Sequence, residues 1–214
     1  MATNLSDIRS TVRDRYESNS TVRLSDDRLD AAINDGVEEL SERTEAFESY
    51  VVVPVKSGRT YYDIRNFLPD EAIKVTSVWL PSENWWLEYM PPRKFTWREW
   101  ERTNGASRNW FMRGLFHLGV FPHLAANTGV MHVYFKHIHP PLSNTWSEIY
   151  VPEDFVEAVE EYALYDLYAQ DRETGKALLH WAGFVERAKP LRDLVERRGK
   201  RPRAGRMANR GGAR

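Results

Sequence analysis

The sequence predicts an α+β protein, with a helical bundle formed by the N- and C-terminal helices and a β-rich insertion, sandwich or barrel-like, between them. Three observations carry this. Apolar residues recur at helical spacing near both ends of the chain, as in Leu29, Ile33, Val37 and Leu40. The middle reads instead as short extended runs rich in Val, Ile, Tyr and Trp, punctuated by Gly, Pro and Asn. The last stretch is Gly, Arg, Pro, Ala and Lys, which cannot bury enough apolar surface to order itself. The expected divisions are residues 1–49 for the N-terminal helices, 50–150 for the insertion, 151–198 for a helical hairpin and 199–214 for a disordered basic tail.

In chain order, Leu5, Ile8, Val12 and Tyr16 share one helical face, and Ser18-Asn19-Ser20 ends it. Ser25 is a suitable N-cap, with Asp26 and Asp27 behind it at the positive end of the helix dipole. Leu29, Ala32, Ile33, Val37 and Leu40 then draw an apolar stripe toward Phe47. From Tyr50 the period becomes extended. Residues 50–55 and 60–64 flank Lys56-Ser57-Gly58-Arg59 and read as a hairpin whose first strand Pro54 pushes to an edge. Runs at 72–80, 84–89, 110–116 and 130–135 make roughly six strands in all. Residues 91–100 read as a short helix or turn laying Trp97 and Trp100 on one side, and Pro140-Pro141 takes the chain out of the sheet as an irregular arm.

Pro152 suits the first turn of the next helix, where its missing N–H is unpaired anyway. Phe155, Val159, Tyr162 and Ala163 share its inner face, against an acidic stripe of Glu153, Asp154, Glu157, Glu160 and Glu161. Asp166 falls about 20° round the wheel from Val159, inside the apolar face, so it is expected to be buried and to need a donor. Leu164 and Tyr168 fall on the acidic stripe, which makes them candidates for contact with a neighbouring subunit. After a turn at Arg172-Glu173-Thr174-Gly175, Leu178, Trp181, Ala182, Val185 and Ala188 read as the facing stripe of a last helix, ended or kinked near Pro190.

Composition removes several classes of chemistry. With no Cys, disulfides, thiolate nucleophiles and Cys-based zinc sites are excluded. Met1-Ala2-Thr3-Asn4-Leu5-Ser6-Asp7 is not a charged-then-apolar leader and no run of about 18 apolar residues occurs, so a soluble chain away from the membrane is expected. No glycine-rich phosphate loop and no Gly-x-Ser-x-Gly is present, and neither an enzyme nor a cofactor is expected. His137 and His139 share one strand face, but no third ligand at metal-site spacing accompanies them.

Charge is unevenly spread. Arg197, Arg198, Lys200, Arg201, Arg203, Arg206, Arg210 and Arg214 are eight basic residues in 197–214 with no acid among them. Residues 1–196 keep 22 Lys and Arg against 31 Asp and Glu, a net charge of -9. The tail could dock on an acidic protein groove or neutralise phosphates, which makes a small DNA-binding protein one alternative reading. Trp79, Trp85, Trp86, Tyr89, Trp97, Trp100 and Trp110 support another, a carbohydrate-binding protein with an aromatic platform, although core and subunit packing account for most of them.

Three stretches carry a family resemblance: Leu24-Ser25-Asp26-Asp27-Arg28-Leu29 through Leu40; Gly58-Arg59-Thr60-Tyr61-Tyr62-Asp63-Ile64 followed by Leu68-Pro69-Asp70; and Val151-Pro152-Glu153-Asp154-Phe155 through Tyr165. In this serial arrangement, spanning about residues 22–196, the chain resembles the head-to-tail adaptor proteins of tailed bacteriophages, also called head completion or tail tubular gatekeeper proteins. The resemblance implies a homo-oligomeric ring, usually a dodecamer, in the neck of the virion. Such a ring binds the portal protein on one side and a tail, stopper or nozzle protein on the other, and genomic DNA passes through it without sequence-specific binding. Assembly would take place in the host cytoplasm. The basic tail would then be the portal-docking segment and the acidic body a non-sticking channel wall.

Overall fold

The computed structural model describes residues 3–18, 24–94, 106–123, 129–143, 147–149 and 153–200. In chain order the elements are β1 (Thr3–Asn4), α1 (Leu5–Glu17), α2 (Asp26–Thr44), β2 (Glu48–Pro54), β3 (Tyr61–Asp63), β4 (Ala72–Leu80), β5 (Trp85–Tyr89), β6 (Asn109–Arg113), β7 (His117–Phe121), β8 (Val130–His137), β9 (Glu148–Ile149), α3 (Glu153–Gln170) and α4 (Thr174–Lys200). The chain divides into two units, one made of Met1–Phe47 with His137–Lys200 and one built on Glu48–Lys136.

In the helical unit the Asn4 side chain caps α1 by accepting from the Asp7 amide, and Ser25 caps α2 by accepting from Arg28. Leu5, Ile8, Val12 and Tyr16 are buried, as are Leu29, Ala32, Ile33, Val37 and Leu40, in one core with Val156, Val159, Leu164, Leu167, Phe184 and Leu191. Gly36 lets α2 approach α3 closely: a Cβ there would lie 3.0 Å from the Val159 carbonyl oxygen. A two-stranded antiparallel ribbon, β1 with β9, is built into this unit.

The other unit is a single seven-stranded sheet in the order β2-β8-β4-β5-β6-β7-β3. Val53, Val78, Leu80, Leu87, Trp110, Leu118, Val120, Met131 and Val133 form its core. β5 and β6 run parallel, with Glu88 opposite Asn109, which demands the long connection that separates them.

The α+β class agrees with the structure, but the expected architecture is corrected. The β region is neither a sandwich nor a barrel: one mixed, curled sheet forms a half-barrel whose end strands are β2 and β3. Nor do the terminal helices stand as the bundle expected: their unit is four helices with a β-ribbon as part of it. The predicted 50–64 hairpin is also absent. β2 pairs with β8 and β3 with β7, so the two runs lie at opposite ends of the sheet. The Lys56–Arg59 turn forms locally, with Arg59 donating its amide to the Lys56 carbonyl, but it directs the chain away and not back. Residues 110–116, expected as one strand, break at Gly114-Leu115-Phe116, and β7 returns antiparallel on β6. Pro54 does end an edge strand.

Pro190 neither ends nor splits α4, which runs from Thr174 to Lys200 with the proline inside it. One backbone hydrogen bond is lost there. The buried seam of Ala177, Phe184, Ala188 and Leu191 continues across that turn and holds it. Of the short helix or turn expected over 91–100, a single 3-10 turn is described at Pro92–Lys94, while Trp97, Trp100 and the Pro152 helix start lie outside the described residues.

Candidate functional site

Three features bear on function: a charged network between helices, the unpartnered apolar faces, and the basic end of α4. The network begins with α3. Its apolar residues occupy several sides, including Val156, Val159, Leu164 and Tyr168, because α1, α2 and α4 all pack around it. Glu160 and Glu161, expected on a solvated stripe, are therefore buried. Arg15 of α1 reaches both, at 3.5 Å from Glu160 and 2.7 Å from Glu161. His180 of α4 lies 2.7 Å from Glu161, and Arg187 lies 3.7 Å from it while donating to Glu157 at 3.0 Å.

Burial pushes the Glu161 carboxyl up, but hydrogen bonds from His180 and Arg15 and their charges outweigh it and hold it at about 2. Glu160 goes the other way: burial raises it, and Arg15 offsets only part of that. Gly183 of α4 makes room for the network, since a Cβ there would sit 3.0 Å from Glu161 Oε2. Nearby, Asp171 in the α3–α4 turn accepts from the Tyr16 hydroxyl and, at 2.8 Å, from Arg28. Arg28 also donates to the Leu167 carbonyl at 3.1 Å, satisfying the end of α3. These groups join helices α1, α2, α3 and α4 to one another.

The sequence-predicted residues fall as follows. Leu164 and Tyr168 are buried in the protomer's own core, so the expectation that they meet a neighbouring subunit is corrected. The second apolar side of α3 is covered by α1 and α4, and Tyr168 stacks on His180 with ring centroids 5.4 Å apart. Asp166 is half-buried and accepts from Gln170 at 2.6 Å. Burial and the charge of Asp35 raise its carboxyl, while Gln170 and Arg28 lower it. Arg197 is exposed on α4, and the same helix takes in Arg198 and also Gly199 and Lys200, which were expected to open the tail. Arg201, Arg203, Arg206, Arg210 and Arg214 lie outside the described residues. His137 and His139 each hold a ring nitrogen 2.7 Å from the carbonyl of the following residue, so they are engaged locally.

Sequence reasoning missed Arg15, His180, Arg187 and the buried Glu160 and Glu161. The available signals were the apolar residues on all sides of α3 and a glycine, Gly183, in a helix interior. It also rotated α4. The inward seam is Ala177, Trp181, Phe184, Ala188, Leu191 and Val195, with Arg43 of α2 over the Trp181 ring at 4.7 Å. Leu178, Leu179 and Val185 are left 61, 70 and 41% exposed.

Trp85 and Trp86 point to opposite faces of the sheet, as alternation requires. Trp85 packs against the core and donates to the Ser107 carbonyl at 3.0 Å. Trp86 joins a closed circuit of rings on the outer face: Tyr50 to His132 (4.9 Å), His132 to Trp79 (5.2 Å), Trp79 to Trp86 (6.0 Å), Trp86 to Tyr134 (5.1 Å) and Tyr134 to Tyr50 (5.3 Å). Among the described residues no group of acids and histidines could hold a metal ion, and no helix is long and apolar enough to cross a membrane.

What these surfaces serve is decided by comparison with known families. The profile of the family described as SU10 adaptor protein matches residues 3–210, nearly the whole chain. The chain belongs to the SU10 adaptor protein family. It is therefore a phage adaptor, a structural protein of the virion, and the resemblance seen in its sequence is to the right group. Comparison with curated proteins gives no match. In an adaptor, the exposed faces of α4 and of the sheet are the parts to weigh as contact surfaces.

Proposed function

We propose that this adaptor assembles into a ring, a dodecamer, beneath the portal, joins the DNA-filled head to the tail and forms part of the channel for the genome. The single observation that carries the reading is the family match over residues 3–210. Charge supports it: residues 1–196 have a net charge of -9, which suits a wall past which DNA slides. The basic residues 197–214 dock on the portal, carried on the end of α4, and residues 50–150 meet the next tail component.

The test is electron microscopy of the full chain alone and mixed with portal particles. Rings seated on the portal are expected, and a chain that stays monomeric and never cosediments with portal refutes the reading. Deleting residues 201–214 should abolish cosedimentation while leaving the circular dichroism spectrum unchanged.

A further inference from the structure

Where α2 and α3 cross, beside α4, the surface of the helical unit combines aromatic rings with carboxylates. Gly36 brings the two helices together against Val159 and Tyr162. Tyr162, Tyr165 and Trp181 are half-buried there, with ring centroids 5.5, 6.1 and 5.0 Å apart pair by pair. Burial and the charges of Glu39, Asp166 and Asp35 push the Tyr162 hydroxyl up to about 12, which places these three carboxylates around the rings.

The negative charge is not compensated locally. α3 has no Lys or Arg, and α2 has only Arg28 and Arg43. Arg28 gives its hydrogen bonds to Gln170, the Leu167 carbonyl and Asp171. On α4, the lysine and arginine within two turns of Trp181 are Lys176, paired with Glu173, and Arg187, paired with Glu157 and Glu161. Among the described residues Asp35 has no ion pair, and Asp166 has the Gln170 amide alone.

Arg43 shows what such a surface takes. Its guanidinium lies over the Trp181 ring at 4.7 Å and bonds to Glu39, so an aromatic face and a carboxylate hold one arginine from two sides. Tyr162 and Tyr165, with Asp35 and Asp166, offer the same pairing of ring and carboxylate, and among the described residues no guanidinium lies over either ring. We infer that their occupant is the basic end of the same chain: residues 201–214 fold back along α4 and seat Arg210 and Arg214 on this surface.

Charge and reach select that segment. It has five arginines and no acid. Trp181 stands twenty residues before its first residue, about 30 Å of helix, and fourteen extended residues span up to roughly 48 Å. Arg201, Arg203 and Arg206 fall short of the return, and Arg210 and Arg214 complete it. The contact parks the docking segment on its own protomer until a stronger acidic site takes it. That regulatory consequence rests on the portal reading of the tail, whereas the contact itself does not.

The experiment uses the full chain, which has no cysteine of its own. Ala31→Cys, one turn before Asp35 on the exposed side of α2, is combined with Ala213→Cys and treated with a short bis-maleimide. A crosslink within one chain is expected, with a yield independent of protein concentration. Asp35→Asn/Asp166→Asn should lower the yield by about fivefold or more, as should Arg210→Ser/Arg214→Ser, the worth of two ion pairs. Salt at about 0.5 M should lower it too, and Glu186→Gln, on another side of α4, should not. Crosslinks only between chains, or a yield indifferent to the Asp and Arg substitutions in variants folded by circular dichroism, overturn the proposal. Added portal particles should draw the tail away and reduce the crosslink. A crosslink as described with no cosedimentation refutes the portal reading and leaves the contact standing, and cosedimentation without the crosslink does the reverse.

Discussion

Helices α3 and α4 are neighbours in one hairpin, yet they treat their residues in opposite ways. α3 is the acidic helix and buries two of its glutamates, whereas α4 leaves Leu178 and Leu179 exposed. Position explains the difference. α3 is packed by three other helices, so whatever it carries is enclosed, and its charges survive only because Arg15, His180 and Arg187 meet them. α4 lies at the margin, with a narrow inner seam and an open outer face. The lesson is that enclosure is set by the number of neighbours, and a residue's own polarity decides only what that enclosure demands.

The largest expected effect is on the seam. Phe184→Ala, at a fully buried position, should lose about 3–5 kcal/mol in urea unfolding. Next, Arg15→Met leaves Glu160 and Glu161 enclosed without their shared cation, and a loss of about 3 kcal/mol is expected by the same measurement. A loss no greater than that of an ordinary surface substitution would mean the network is solvated and would erase the contrast between the helices.

Acid should expose the same contrast. Glu161 is held at about 2, below the ordinary 4.5, so its contribution is complete above pH 4.5 and is lost as pH falls toward 2. Glu160 and Asp166 are raised, so their penalty at neutral pH is relieved as they protonate on the way down to their ordinary values. Stability measured by denaturant titration should hold or rise slightly from pH 7 toward 4.5 and then fall, and Glu161→Gln should flatten the fall. Gly183→Ala would gain roughly 1 kcal/mol of helix propensity, but the added methyl crowds a Glu161 carboxylate pinned by several donors. A net loss of about 1 kcal/mol is expected in thermal unfolding. Smallest of all, Leu178→Ser should change protomer stability by less than about 0.5 kcal/mol, since its side chain is mostly exposed.

Much of this was legible in the sequence where one periodicity had one cause. Leu5, Ile8, Val12 and Tyr16, and Leu29 through Leu40, each face a single core, so their spacing identified the buried face directly. Ser25 was readable as a cap because capping is local. Legibility failed where pairing partners are distant. Nothing near Tyr50 or Tyr61 says that their strands pair with β8 and β7, and the Lys56–Arg59 turn looks like a hairpin from within. For α3, enclosure by three helices blurred the wheel, so Asp166 appeared more buried than it is and Glu160 and Glu161 less so. For α4, Leu178, Trp181 and Val185 form a plausible stripe, and only packing shows that the core keeps Trp181 but takes Ala177 and Phe184 in place of Leu178 and Val185.

The Asp171 turn has a consequence for how the protein is made. Tyr16 and Arg28 bind a residue more than 140 positions further along the chain, and the helical unit is completed only by segments on both sides of Glu48–Lys136. On a ribosome, α1 and α2 therefore emerge with their apolar stripes unpaired and wait for the whole sheet to be synthesised before α3 arrives. At about 5–20 residues per second that interval lasts several seconds at least, long compared with the collapse of a helix pair. Asp27, Asp35, Glu38 and Glu42 on the exposed side of α2 give this early segment an acidic excess, and like charge of that kind opposes association while the stripes are open.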